Sequence, residues 1–363
     1  MERLRAVRNL SKPLALALVC IVLSILLVFS AGFELLRFGG SFRAVNPEFS
    51  GACRPIALAA SSEDIQIDRQ RGIAYLSYLD RASLYGGQEV NGSIMLLDLN
   101  LPEPAPRAAM RFDPANFRPH GLSLWQQPGR PSRLFAISHL SKLEHVVEIA
   151  ELDSGGFVPR ATIHDATFAH PNAIAAVGPE QFYLVNDHPR QSDGRTRLTA
   201  LLRLGNGSLV FHDGAMGRIL LSDLQYPVGL ALSPDRSRIY IAEGTGKALR
   251  IYRRDPADGI PTLEEVVDLG TAPDNLNVDD DGIVWMAAHP KLLSFTAHAQ
   301  SPEKRAPTQV LRFDPNGPEP RLRQIYLDDG AQISAGTVAA RWRDEFLIGA
   351  LLDKKVLICK PNP

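Results

Sequence analysis

The chain has 363 residues, a formal net charge of −1, and hydrophobic and charged fractions of 45% and 22%. This composition excludes a disordered or collagen-like chain, and the near-zero charge argues against a nucleic-acid-binding protein, which needs a basic face. The 28 glycines and 27 prolines predict many turns rather than long helices.

The N-terminal region predicts a membrane anchor. Residues 14–33 contain no charged side chain, and about 20 apolar residues cross a bilayer as a helix. Four basic residues precede this run, so the positive-inside rule predicts a cytoplasmic N-terminus; they are Arg3, Arg5, Arg8 and Lys12. A cleaved signal peptide is the alternative, but its apolar core is usually shorter, roughly 7–15 residues.

The predicted organisation therefore has four parts. They are a basic cytoplasmic tip (1–12), a transmembrane signal anchor (13–36), a linker (37–52) and one extracytoplasmic domain (53–363). Cys53 and Cys359 lie at the two ends of this domain. In an oxidising compartment a disulfide between them would close a very large loop and stabilise the fold. Two unrelated buried thiols are the alternative, and the terminal positions of the pair favour the disulfide.

Short strands separated by turns fill the predicted domain. Ten runs rich in β-branched and aromatic residues predict strands; they are 72–78, 93–99, 133–139, 181–187, 238–243, 248–254, 283–288, 310–314, 345–351 and 355–359. Similar strand–turn–strand units begin near residues 121, 172, 229 and 275. Periods of roughly 45–55 residues are typical of propeller blades with four strands each. The sequence thus predicts an all-β, six-bladed β-propeller, with a pair of β-sandwiches as the alternative.

Polar residues stand at the starts of the predicted inner strands, where apolar residues or turns are expected. They are Glu63, Asp64, His120, Asn172, Asp274 and Asn275. In a propeller such positions from different blades converge on the mouth of the central channel. Carboxylate and amide oxygens gathered there suit a hard cation such as Ca²⁺ rather than zinc. A single Asn or Asp before a strand is more often a turn residue, so the prediction rests on the repetition.

Several segments resemble the paraoxonase/arylesterase family. They are SEDI (62–65), PHGL (119–122), NAIAAVGPEQFYLVNDH (172–188), SPDRSRIYIAE (233–243), DNL (274–276) and residues 336–359. The resemblance runs from about Cys53 to Cys359. It implies a six-bladed propeller with calcium-dependent lactonase and esterase activity, an uncleaved hydrophobic N-terminus and a Cys53–Cys359 disulfide. Gluconolactonase/senescence-marker and strictosidine-synthase-like propellers are wider relatives.

The resemblance implies two calcium sites. The side chains implied for the catalytic calcium are Glu63, Asn172, Asp274 and Asn275, and those implied for a structural calcium are Asp64 and the carbonyl of Leu122. Val228 stands where a further amide ligand is expected at the first site, and Ala173 where an aspartate is expected at the second. The sequence therefore predicts one catalytic calcium and gives weaker support to the structural one.

The resemblance also implies that histidines move the proton. It makes His120 the general base and His139 its partner, and places His188 and His289 at the same channel mouth. A bound cation polarises an ester carbonyl, and a histidine can deprotonate an attacking water. The prediction is a membrane-anchored, calcium-dependent hydrolase of small lactones or aryl esters. A metal-free propeller that binds a ligand or partner, and a strictosidine-synthase-like enzyme, are the alternatives.

Overall fold

The computed structural model describes residues 2–111, 114–190 and 204–362, together with Thr199 and Leu202, and its side chains from residue 16 onward. The chain divides into two compact units between Ala44 and Val45.

The first unit contains one long helix, α1 (Glu2–Phe38). From Leu16 to Phe38 this helix has a mean hydropathy of 2.8, and no part of the stretch is buried. Exposed apolar surface is unfavourable in water by roughly 25 cal/mol per Å², so the helix is a candidate membrane anchor. The predicted basic side chains lie outside the described residues.

The second unit is a β-structure with short helices. Its described strands are β1 (Gly51–Ala57), β2 (Ser61–Asp68), β3 (Ile73–Leu79), β4 (Ser93–Asp98), β5 (Arg107–Ala108), β6 (Pro119–Trp125), β7 (Arg133–His139), β8 (His145–Asp153), β9 (Gly156–Ile163), β10 (Pro171–Ala176), β11 (Phe182–Asn186), β12 (Gly207–His212), β13 (Gly217–Leu224), β14 (Pro227–Leu232), β15 (Arg238–Glu243), β16 (Ala248–Arg254), β17 (Pro261–Asp268), β18 (Ala272–Val278), β19 (Val284–His289), β20 (Thr308–Phe313), β21 (Leu322–Asp328), β22 (Gly336–Trp342), β23 (Glu345–Ala350) and β24 (Lys355–Pro361). Its helices include α2 (Arg81–Tyr85) and α3 (Leu292–Gln300).

The strands form six antiparallel sets of four. Four sets are separate sheets, β6–β9, β10–β13, β14–β17 and β18–β21. The other eight strands are linked through the pair Ser62 and Ala350 and divide there into β2–β5 and the set β22, β23, β24 and β1. The first strands of the six sets (β2, β6, β10, β14, β18 and β22) contact one another in a closed ring. The predicted all-β propeller is confirmed.

Apolar clusters fill the interfaces between neighbouring sets of strands. Between the first two sets, for example, the rings of Tyr75 and Phe157 meet edge to face with centroids 5.0 Å apart. Aromatic pairs in this arrangement add stability beyond the area they bury. The core is therefore a ring of inter-blade layers around the channel.

The first and last strands close the ring. β1 pairs antiparallel with β24, and Cys53 lies directly opposite Cys359. The two cysteines form a disulfide, so the predicted cross-link is confirmed. It ties the beginning of the propeller to its end.

Replacing Cys53 and Cys359 together by alanine is expected to lower the free energy of unfolding by about 2–5 kcal/mol, because the cross-link spans 306 residues and restricts the unfolded chain. Urea unfolding of the full chain in detergent, followed by tryptophan fluorescence, measures the loss. Cys20→Ala is the control, because Cys20 is free and exposed. An unchanged unfolding free energy in the double variant would contradict this role.

Candidate active site

Each of the six innermost strands has a break in its regular pairing near its beginning. The residues skipped there include Glu63 and Asp64 in β2, His120 in β6, Asn172 in β10, Val228 in β14, Asp274 and Asn275 in β18, and Thr337 in β22. A β-bulge re-aims side chains away from the strict alternation of a strand. In four of these strands a proline directly precedes the bulge (Pro119, Pro171, Pro227 and Pro273), since proline fits where the ladder is interrupted.

Glu63 is the meeting point of several of these bulges. Its side chain is buried, and Oε1 accepts a hydrogen bond from Nδ2 of Asn275 at 2.7 Å. The same oxygen lies 3.4 Å from Nε2 of His120. Thr337 donates its hydroxyl to the carbonyl oxygen of Glu63 at 2.7 Å. Side chains from β6, β18 and β22 therefore converge on β2.

Two of the predicted calcium ligands carry a buried oxygen that has no hydrogen-bond partner within the part of the chain that the structure describes. These atoms are Oε2 of Glu63 and Oδ1 of Asn172. Leaving such an oxygen unsatisfied costs roughly 1–3 kcal/mol, and a cation coordinated by both would remove that cost. Asp274 and Asn275, which are also buried, add oxygens of the hard type that calcium prefers. The donor set therefore fits a calcium ion.

The carboxyl groups at this mouth are crowded. Burial and the neighbouring charge of Glu63 raise the pKa of Asp64 to about 8. Burial also raises the pKa of Asp274, although its contact with His289 acts in the opposite direction. Burial opposes ionisation of Glu63 too, but His120 nearby keeps the pKa of Glu63 below its usual value. A divalent cation would relieve the repulsion among these acids.

Asp64 differs from the other predicted ligands because the backbone already satisfies both of its oxygens. Oδ1 accepts a hydrogen bond from the N–H of Ile65 at 2.7 Å, and Oδ2 accepts one from the N–H of Leu122 at 2.6 Å. Ala173, at the position where a second acid was expected, packs in an apolar cluster with Val185 and Leu209. The surroundings of Asp64 therefore offer a cation fewer available oxygen ligands than the cluster around Glu63 does.

His120 begins a chain of hydrogen-bonded histidines. Its Nδ1 lies 2.7 Å from Nε2 of His139, and Nδ1 of His139 lies 2.8 Å from Nδ1 of His145. Burial holds the pKa of His139 well below its usual value and lowers the pKa of His145 to about 4. The structure thus brings the predicted pair together and adds a third, neutral imidazole behind it.

His289 contacts the carboxylate of Asp274. Its Nε2 lies 2.8 Å from Oδ2 of Asp274. Its ring stacks on Phe295 of α3, with centroids 3.9 Å apart. His289 is therefore fixed between a predicted ligand and a helix that packs beside the mouth.

His188 belongs to a neighbouring cluster, which adjoins the histidine chain because the rings of His139 and His170 stack with centroids 5.3 Å apart. Nε2 of His188 lies 3.6 Å from Oδ1 of Asp187, and Nδ1 of His170 lies 2.7 Å from the same oxygen. The other oxygen of Asp187 accepts a hydrogen bond from Nδ2 of Asn172 at 3.2 Å. Asp187 therefore links this histidine pair to a predicted calcium ligand.

Several residues of the mouth are absent from the sequence-based prediction; they are Thr337, His145, His170, Asp187 and Tyr226. Thr337 could have been predicted, because it lies near the start of the sixth innermost strand as Glu63 lies near the start of the first. Tyr226 has a φ of 56°, which is uncommon for a bulky residue. The carboxylate of Asp187, followed by burial, raises the pKa of its phenol.

The channel also has a cavity at its other end. It has a volume of about 420 Å³ and is lined by later residues of the innermost strands, such as Gln66, Ser123 and Leu232. None of the predicted site residues lines it. The predicted site residues therefore lie at the end of the channel where the innermost strands begin.

Comparison with known proteins identifies the family of the chain. Residues 51–360 match the family model described as Arylesterase. Serum paraoxonase/lactonase 3 of Rattus norvegicus is 29% identical over 348 residues, which cover 91% of this chain and 95% of the relative. Serum paraoxonase/arylesterase 1 of Homo sapiens is 27% identical over 334 residues, covering 88% and 92%.

Solved structures share the fold. The calcium-binding protein regucalcin from Agrobacterium tumefaciens superposes with a TM-score of 0.51 at 15% identity, over 86% of this chain and 96% of that one. A luciferin-regenerating enzyme gives a TM-score of 0.54 at 13% identity, covering 87% and 95%. The family match over residues 51–360 extends across the whole propeller. The chain therefore belongs to the arylesterase family, as its sequence motifs predict.

Proposed function

We propose that this protein is a calcium-dependent hydrolase of lactones and aryl esters. The observation that carries the proposal is the pair of buried, unpartnered oxygens on Glu63 and Asn172, with His120 3.4 Å from the carboxylate of Glu63. The named relatives, which are lactonases and arylesterases, support the substrate class.

The proposed calcium ligands are Glu63, Asn172, Asp274 and Asn275. When bound, calcium polarises the substrate carbonyl and stabilises the negative charge that develops on its oxygen. Neighbouring side chains orient the two acids in advance, because Asn275 holds Oε1 of Glu63 and His289 holds Oδ2 of Asp274. Such supporting contacts pre-organise a metal site.

His120 is the proposed base. Its Nδ1 is held by His139, so Nε2, which lies 3.4 Å from Oε1 of Glu63, is the nitrogen that would accept a proton from water. The resulting hydroxide attacks the carbonyl carbon, the bond from that carbon to the leaving oxygen breaks, and the proton returns to that oxygen. The products are one acid and one alcohol, which are joined in one molecule when the substrate is a lactone. No covalent serine or cysteine is needed.

We further propose a single calcium ion. Both oxygens of Asp64 are engaged by backbone N–H groups, and Ala173 supplies no oxygen from its side chain. The second, structural calcium that the family resemblance implies therefore lacks most of its ligands in this chain.

The proposed location of the propeller is outside the cytoplasm, with α1 as its membrane anchor. The Cys53–Cys359 disulfide supports this, because disulfides persist mainly in oxidising compartments. The basic residues before the apolar stretch favour a cytoplasmic N-terminus.

The test of the function is an assay of the purified full chain in detergent. Small γ- and δ-lactones and phenyl acetate are offered with calcium present and after chelation. We expect hydrolysis of at least one class with calcium, lost after chelation and restored by added calcium. Absence of hydrolysis with calcium present, or equal rates in both conditions, would overturn the proposal and favour a metal-free binding module.

Val228→Asn is expected to tighten calcium binding about tenfold, because it adds an amide oxygen at a bulge position whose side chain is apolar and calcium affinity rises with the ligands that the site supplies. Calorimetric titration of calcium into the chelator-treated chain measures the change. Val228→Ala is the control, since it alters size without adding a ligand. Equal affinities in the wild type and Val228→Asn would place the ion elsewhere.

A further inference from the structure

We propose that His170, Asp187 and His188 form a second metal site, selective for a transition-metal dication of the Zn²⁺ class. One ligand atom from each residue lies within 4.8 Å of the other two. Two imidazoles and one carboxylate are a ligand set of zinc and non-haem iron sites, whereas calcium takes oxygen ligands. This site is therefore chemically distinct from the calcium ligands around Glu63.

The distances are close to those that zinc requires. Zinc–nitrogen bonds of about 2.0–2.1 Å place tetrahedral ligand atoms roughly 3.3 Å apart. Nδ1 of His170 lies 2.7 Å from Oδ1 of Asp187, and Nε2 of His188 lies 3.6 Å from the same oxygen. A cation bound by the three groups would widen the His170–Asp187 contact, where it takes the place of the shared proton, and would draw the nitrogens of His170 and His188, which lie within 4.8 Å of each other, around it.

The tautomer of His188 is already the one that a metal needs. Its Nδ1 lies 2.6 Å from the carbonyl oxygen of Pro189, which can only accept a hydrogen bond. Nδ1 therefore carries the hydrogen, and Nε2 presents its lone pair toward Asp187. A backbone carbonyl that fixes the second ring nitrogen is a regular feature of histidine metal ligands.

The charge and burial of the cluster also favour a cation. Asp187 is 2% exposed, so its carboxylate is shielded from water. The rings of His170 and His188 stack with centroids 4.0 Å apart. The ring of His145 lies 5.2 Å from that of His170, and within the described residues its buried Nε2 has no hydrogen-bond partner. A buried carboxylate thus lies against two stacked imidazole rings, with a third ring beside them.

Occupancy of this site would affect the calcium ligands. This consequence rests on the proposed function. Oδ2 of Asp187 accepts a hydrogen bond from Nδ2 of Asn172, whose unpartnered Oδ1 is a proposed calcium ligand. A metal bound at Oδ1 of Asp187 would hold this acid in place and so fix the orientation of the Asn172 amide. The cluster is then a positioning element for the neighbouring ion.

The experiment is a metal titration of the full chain in detergent, with excess calcium present so that the calcium ligands are occupied. Zn²⁺ binding is measured by calorimetry, and Co²⁺ binding by the visible absorption of a low-symmetry nitrogen–oxygen site. We expect one ion per chain. His188→Gln and Asp187→Asn are each expected to weaken binding at least about 100-fold, more than the loss of a supporting contact would cause.

The matched control is His212→Gln, because His212 is a buried histidine near another acid, 3.9 Å from Asp165, outside the cluster. His212→Gln is expected to bind zinc as tightly as the wild type does. If Asp187→Asn fails to fold, His188→Gln still tests the proposal. Absence of zinc binding in the wild type, or undiminished binding in His188→Gln, would overturn the proposal. So would zinc binding that calcium competes away and Glu63→Gln abolishes. Because the readouts are binding and absorption, an inactive hydrolase that still binds zinc would refute only the proposed function.

Discussion

Replacing Glu63 by glutamine is expected to lower kcat/KM for lactone or aryl-ester hydrolysis by roughly 10²–10³-fold, comparable to the loss of one group that stabilises developing charge. The substitution removes the negative charge of the residue that contacts both Asn275 and His120. At the place of the unpartnered Oε2, glutamine presents either an amide nitrogen or an uncharged amide oxygen. Calcium therefore binds less tightly. Steady-state kinetics and calorimetric calcium titration measure the two effects together.

The control for this substitution is Glu148→Gln. Glu148 is also buried, but it accepts a hydrogen bond from the hydroxyl of Thr162 at 2.7 Å and contacts none of the proposed ligands. It is expected to leave both calcium affinity and hydrolysis unchanged. Full activity in Glu63→Gln, or an equal loss in both variants, would contradict the role assigned to Glu63.

His120→Asn is expected to reduce kcat by about 10²–10⁴-fold, the usual contribution of a positioned general base, while calcium affinity stays close to that of the wild type. The reason is that His120 contacts Glu63 without supplying one of the proposed ligand oxygens. His139→Gln is expected to have a smaller effect on kcat, since His139 acts by holding Nδ1 of His120.

The division between kcat and calcium affinity is the decisive feature of this second prediction. Unchanged kcat in His120→Asn would remove His120 from the reaction. Loss of calcium binding together with activity would instead indicate that His120 helps to form the calcium site. Kinetics at saturating calcium and a separate calcium titration distinguish these outcomes.

Most of the fold was predictable because the strands carry local signals. The predicted strands 133–139, 238–243 and 248–254 coincide with β7, β15 and β16, since each is a short run of apolar residues that ends at a turn. The repeat of such units predicted a propeller. The disulfide followed from the terminal positions of its cysteines, but the alignment of Cys53 with Cys359 depends on the pairing of β1 with β24.

The candidate site was predictable only where it follows the repeat. Glu63, Asn172 and Asp274 each occupy the bulge of an innermost strand, so one sequence position in successive units marks them. His170 and Asp187 lie just outside the ends of β10 and β11. Asp187 occupies the place in its blade that His139 and His289 occupy in theirs, but the residue type there changes from blade to blade. Their contact depends on how those two strands pair, and no spacing in the sequence encodes it.

One measurement tests the central claim most directly, namely bound calcium and lactone hydrolysis followed together as calcium is returned to the chelator-treated full chain. The account predicts that hydrolysis rises in proportion to occupancy and saturates at one tightly bound ion per chain, and that Glu63→Gln binds calcium less tightly and hydrolyses the lactone far more slowly. A chain that hydrolyses lactones at its full rate before any calcium binds would contradict the account.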